Sequence, residues 1–196
     1  MKIVYIHGAN ASGGSFNYIR EHLKHDDELV VEYSTFDGFE NNLEMMMRLL
    51  VNADNLFFIC HSMGGIYATH LAHHFSEQTI GAVTMSTPYG GAGMADYAKY
   101  FLPFSRLLRD IGPNSRPMRL TNKLEIVHPW CNIVTTKGDS PWMVEPNDGV
   151  VTITSQKHRN DMEFEELAMN HYEVVISPKT VNIIKKKIKE YSKRYD

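Results

Sequence analysis

The chain has little that would mark it for the secreted, membrane or nucleic-acid-binding classes. Only two cysteines, Cys60 and Cys131, occur in 196 residues, too few for a disulfide framework. No stretch approaches the roughly 18 apolar residues that a membrane span requires, so no stable membrane insertion is expected. Neither sign of charge dominates: the formal net charge is -3 with 22% charged residues, which argues against a general nucleic-acid binder. The glycines form no G-x-G-x-x-G and are followed by no Lys-Ser or Lys-Thr, so a phosphate cradle is not indicated. The first residues read as a strand rather than a basic and then apolar leader, and a cytoplasmic location is the expectation. What remains is 43% hydrophobic, in a length suited to one core, so a single globular domain over 1–196 is expected.

The organising stretch is Phe57-Phe58-Ile59-Cys60-His61-Ser62-Met63-Gly64-Gly65: an apolar run, a serine among small residues, then a helical pattern. That is the layout of a nucleophile elbow, in which a sharp strand-to-helix turn exposes the serine at the carboxyl end of a sheet. Small residues are needed two positions either side, because the turn brings backbone close. Gly64 meets the need, and Cys60 stands where G-x-S-x-G has its first glycine. The N–H of Met63 opens the following helix and points where a tetrahedral oxyanion would form. A serine at such a turn can equally be an ordinary cap.

Strand and helix patterns alternate along the chain. Lys2-Ile3-Val4-Tyr5-Ile6 reads as a strand, and the small-residue loop from His7 to Gly14 leads to Phe16, Ile19 and Leu23 at helical spacing. In that loop the N–H of Ala9 or Asn10 is placed to be a second oxyanion donor, and His7 reads as structural. Leu29–Tyr33 reads as a strand, and Leu43, Met46, Met47 and Leu50 as a helical face. The elbow strand follows, and Ile80–Met85 reads as the next one. Three strand-helix units in a row imply a parallel sheet with helices on both faces. His70 and His74 are four apart, but no Glu completes an H-E-x-x-H pattern, so packing or surface roles are expected and no metal.

The His7-Gly8 loop with Ser15-Phe16-Asn17, the Cys60–Gly65 elbow and the Ser86-Thr87-Pro88 turn together resemble the α/β-hydrolase lipases and esterases. The likeness is strongest to small bacterial lipases whose elbow reads A-H-S-M-G-G. It runs from the first strand to the last helix and is firmest over residues 3 to 91. It implies Ser62 as nucleophile and the N–H groups of Ala9 and Met63 as the oxyanion hole. Downstream, Trp130–Thr136 reads as a strand, and the loop beyond it offers Asp139 and Asp148. The resemblance favours Asp148, because Asn147-Asp148-Gly149-Val150-Val151 is similar to the N-D-G-x-V turn that carries the acid in related lipases. This loop matches no EF-hand spacing, so no calcium is expected. Glu163–Ala168 can form the last strand, and the fold's order of serine, acid, histidine favours His171, just beyond it, over His158. Where the family has Gly-His, this chain has Asn170-His171.

Residues 92–122 depart from the minimal lipases and read as a cap, with apolar helical faces interrupted by Pro103 and a loop marked by Pro113 and Pro117. Lys99, Arg106, Arg109, Arg116, Arg119 and Lys123 make it a basic island, expected as a solvated face; attraction of a carboxylate or phosphate on the substrate is the alternative. From Pro178 a closing helix places Val181, Ile184, Ile188, Tyr191 and Tyr195 on one face. The expectation is therefore an α/β-hydrolase fold, a compact sheet of about six mostly parallel strands flanked by helices, with a short helical cap. It would cleave a small-molecule ester through an acyl-enzyme and need no cofactor. His7, Asn10, His61, Tyr89 and Phe101 are the candidates for lining the substrate site. A thioesterase, acyltransferase or amidase with the same triad is one alternative, and a non-catalytic binding module of the same fold is another.

Overall fold

The structure is a computed structural model that describes residues 1–91, 110, 112–138, 140 and 143–193. Most of the expected cap, with Phe101 and the basic residues up to Arg109, therefore lies outside the described residues, as do Asp139 and Tyr195. The strands are β1 (Lys2–Ile6), β2 (Glu28–Val31), β3 (Leu56–His61), β4 (Thr79–Met85), β5 (Trp130–Thr135) and β6 (Glu163–Leu167). They form one sheet in the order β2-β1-β3-β4-β5-β6, and every pairing is parallel. The described helices are α1 (Asn17–Leu23), α2 (Phe39–Leu50), α3 (Met63–His74), α4 (Arg116–Thr121), α5 (Ile153–Gln156) and α6 (Pro178–Ser192). Among the described residues no helix is long and apolar enough to cross a membrane.

The central strands are apolar on both faces because both faces are covered. Val4, Ile6, Phe58 and Cys60 point to one side, where they share a core with Met46 and Leu50 of α2 and Ile66 and Leu71 of α3. Ile3, Tyr5, Phe57 and Ile59 alternate to the other side, where Ile19 of α1 and Val181, Ile184 and Tyr191 of α6 meet them. Charge marks the two sheet edges. Glu28 of β2 pairs with Arg20, and the glutamates of β6 pair with Lys157, Lys186 and Lys187. Such edges discourage pairing with another chain.

Two local expectations are corrected. Pro117 belongs to a helix rather than a loop: it occupies the first turn of α4, where its missing N–H costs nothing, and Ser115 Oγ caps the helix by accepting from the Met118 N–H at 3.2 Å. Strand β2 stops at Val31, two residues early, because Glu32 and Tyr33 turn to hold the neighbouring loop. The Glu32 carboxylate accepts from the Gly13 N–H at 2.9 Å, and the Tyr33 hydroxyl donates to the His7 carbonyl at 2.9 Å.

Candidate active site

Ser62 sits between the last residue of β3 and the first of α3, with φ 51° and ψ -122°. An L-residue reaches that region only when its surroundings over-determine it. Here they do. The Ser62 N–H donates to the Met85 carbonyl at 2.8 Å, and its carbonyl accepts from the Gly65 N–H at 3.0 Å. A Cβ on Gly64 would lie 2.0 Å from the Ile6 carbonyl oxygen, so the elbow requires glycine there. Cys60 is fully buried in the core beside β1, and burial pushes its thiol far above its ordinary range, so it packs and does not compete as a nucleophile.

The loop after β1 comes equally close. A Cβ on Gly8 would lie 3.1 Å from Ser62 Cβ, which is tight enough to favour glycine. Asn10, at φ 54°, gives its N–H to Thr35 Oγ1 at 3.0 Å. Of the two donors the sequence offered, Ala9 is therefore the one without that commitment, and Ala9 and Met63 flank Ser62 in one cleft. The cleft encloses about 210 Å³, and Asn10, His61 and His171 also line it, with Val150, Val151 and Tyr172 among its apolar walls.

His171 follows β6 in a turn that Asn170 makes, its Oδ1 accepting from the N–H groups of Tyr172 and Glu173 at 2.9 Å each. This Asx turn does the work of the usual glycine. The His171 N–H donates to the Asp148 carbonyl at 3.0 Å, and its Nδ1 lies 2.8 Å from Asp148 Oδ2. Nδ1 therefore carries the proton, and Nε2 is the ring's free base position. Burial would raise the Asp148 carboxyl, but hydrogen bonds from His171, from Thr135 and from the Val151 N–H outweigh it, and the group lies below the ordinary carboxylate range. His158, the other candidate base, is exposed and lines a separate groove with Asp161.

The remaining candidates divide. His61 lines the cleft and donates Nε2–H to the His171 carbonyl at 2.8 Å. Burial and the neighbouring His171 lower its pKa to about 3, so it stays neutral. His7 and Tyr89 do not line the cleft. The His7 ring is buried and stacked on Tyr33 at 4.2 Å, propping the loop from beneath. Tyr89 is also buried, its hydroxyl accepting from Trp130 Nε1 at 3.0 Å, while Pro88 lines the cleft in its place. Thr135 and Gln156, which the sequence does not mark as site residues, donate to the carboxylate of Asp148, and Ser86, from the Ser86-Thr87-Pro88 turn, lies behind Thr135 with its Oγ 2.7 Å from Thr135 Oγ1. Thr135 and Gln156 belong to no motif, and nothing local in the sequence announces their role.

Neither a protein-family model nor a curated protein matches the chain. Solved structures do. The metagenomic carboxyl esterase MGS0156 is similar over 100% of this chain and 76% of its own, with a TM-score of 0.75 at 14% identity. Phospholipase PlaB from Legionella pneumophila is similar over 98% of this chain with a TM-score of 0.74 at 12% identity, and the chain spans 63% of its length. The lipase BlEst2 from Bacillus licheniformis, in mature form, is similar over 94% of this chain and 90% of its own, with a TM-score of 0.67 at 15% identity. The fold is that of the α/β-hydrolase lipases and esterases.

Proposed function

We propose that the chain is a serine hydrolase that cleaves carboxylic esters through an acyl-enzyme on Ser62. The observation that carries this reading is the 2.8 Å contact between His171 Nδ1 and a buried Asp148, made by a ring that shares its cleft with a serine at φ 51°. In this reading His171 Nε2 takes the proton of Ser62 Oγ as the oxygen attacks the ester carbonyl. The N–H groups of Ala9 and Met63 receive the oxyanion. The imidazolium then gives its proton to the departing alkoxide, leaving alcohol and an acyl-serine. Water, deprotonated by the same nitrogen, attacks the acyl-serine and releases the acid with Ser62 restored. Asp148 holds the tautomer and orientation of the ring throughout. No cofactor takes part.

The fold neighbours named lipases and esterases support this reading as analogy. A neutral small ester suits a cleft whose described walls carry no Lys, Arg, Asp or Glu side chain. The test is hydrolysis of p-nitrophenyl acetate and butyrate by the wild type and by Ser62→Ala. Turnover by the wild type that falls at least 1,000-fold in a folded Ser62→Ala variant, roughly the scale of losing a nucleophile, supports the reading. Equal turnover by the two proteins would refute it.

A further inference from the structure

The Asp148 carboxylate is almost completely buried and faces only donors. Oδ1 accepts the N–H groups of Val150 at 2.9 Å and Val151 at 2.7 Å. Oδ2 accepts His171 Nδ1–H at 2.8 Å, Thr135 Oγ1–H at 2.6 Å and Gln156 Nε2–H at 3.2 Å. A protonated carboxyl would turn its hydrogen toward groups that are themselves donating.

The side chains around Oδ2 have their directions fixed from outside the site. Gln156, at the end of α5, pairs with the backbone of Thr135 as a strand would. Its Oε1 accepts the Thr135 N–H at 2.9 Å, and its Nε2 donates to the Thr135 carbonyl at 3.0 Å. Flipping the amide would set N–H against N–H and oxygen against both a carbonyl and a carboxylate, so only one orientation is satisfied. That orientation aims the second Nε2–H at Asp148. Thr135 has one hydroxyl proton, and its short contact with the carboxylate takes it. Ser86 Oγ, 2.7 Å from Thr135 Oγ1, must then be the donor to Thr135. Ser86 is itself buried at φ 52° beyond the end of β4, tied by its N–H to the Ile133 carbonyl at 2.9 Å. A directed chain results, from Ser86 through Thr135 to Asp148 and across to His171, in which each bond polarises the next.

We propose that Thr135 and Gln156, with Ser86 behind Thr135, are positioning residues that hold the Asp148 carboxylate ionised and aimed at His171. Among the described residues, the other titratable side chains near it are His61, behind His171, and Lys137, Tyr172 and Glu173, which line a groove together with Asp148. Thr135→Val keeps the shape and removes the hydroxyl, Thr135→Ser restores it, and Gln156→Leu removes the amide.

Two readouts apply. The first is a carbon NMR titration of the aspartate carboxyls, with Asp148 identified by the resonance missing from Asp148→Asn; it needs no substrate. Loss of a charge-assisted donor should move the Asp148 titration upward by about one pH unit in Thr135→Val. Thr135→Ser should stay at the wild-type position, and Gln156→Leu should move upward by less, its contact being longer. The second readout, which alone rests on the ester hydrolase reading, is the acid limb of kcat/KM, expected to shift upward in the same order. If the wild type turns over no ester, that reading fails while the carboxyl titration still decides this proposal. An unchanged Asp148 titration in folded Thr135→Val would overturn it. Should Thr135→Val fail to fold, Ser86→Ala removes only the donor to Thr135, and its titration is expected to shift in the same direction by less than half as much; no shift there would equally overturn the proposal.

Discussion

The two halves of the candidate site are built by different means. The elbow half is held by backbone: Ser62 is fixed by main-chain hydrogen bonds to Met85 and Gly65, and by a glycine that lets α3 lie against the Ile6 carbonyl. The acid-base half sits on loops after β5 and β6 and adds side chains to its backbone ties: Thr135, Gln156, His61 and Asn170 each supply a directed hydrogen bond beside the N–H groups of Val150, Val151 and His171. Both halves are therefore sensitive to volume, a Cβ on Gly138 lying 2.0 Å from the Asp148 carbonyl carbon, and the second depends in addition on single polar side chains. Perturbing the elbow should cost stability and activity together, whereas removing a polar side chain from the second half should cost activity first.

The sharpest break of that contrast is Asp148→Asn. It keeps the volume but removes the charge and favours the wrong tautomer of His171, so kcat should fall by about 10,000-fold. Steady-state kinetics beside a urea melt would read it, and a loss of activity explained entirely by unfolding would contradict the contrast. Gly64→Ala is the reverse case. With a backbone carbonyl 2.0 Å from the new Cβ, it should cost about 3 kcal/mol of stability or prevent folding, and activity should be lost in step. A stable Gly64→Ala variant, seen as an unchanged midpoint in thermal unfolding, would show that the elbow has room it is not credited with.

His61 belongs to both halves, because it precedes Ser62 in the chain and holds the His171 carbonyl. His61→Leu should lower kcat about tenfold with little change in KM, and His61→Gln, which keeps a donor, should recover most of it. His61 also sets a pH dependence. Its folded pKa of about 3 lies below its ordinary value of 6.5, so the unfolded chain takes up the proton first. Its contribution to stability is complete above about pH 6.5 and declines as pH falls from there toward 3. Denaturant midpoints at pH 7 and pH 5 should therefore differ, and by less in His61→Gln.

The same contrast explains what could be read from the sequence. Alternating strands and helices and the elbow are local patterns, and the all-parallel sheet agrees with the alternation; the order of serine, acid and histidine is what the family resemblance implies. Contacts that cross the chain leave no such pattern. Gln156 meets Thr135 across 21 residues, and neither lies in a motif. Tyr89 follows the Ser86-Thr87-Pro88 turn and reads as a cleft residue, but its ring is drawn under the cleft because Trp130 and Thr84, from two strands, satisfy its hydroxyl there. His7 divides: its stacking on Tyr33, 26 positions away, agrees with the structural reading and not with a place in the cleft. Pro117 looked like loop punctuation because a first-turn proline and a loop proline are identical without the Ser115 cap in view.

Activation of Ser62 as the proposed nucleophile is tested most directly by a fluorophosphonate probe followed by peptide mass spectrometry. One stoichiometric adduct is expected, on the peptide containing Ser62, absent from Ser62→Ala and slowed at least 100-fold in His171→Ala, on the scale of losing a general base. Folded wild-type protein that remains unlabelled, or that is labelled at another residue, would contradict that activation.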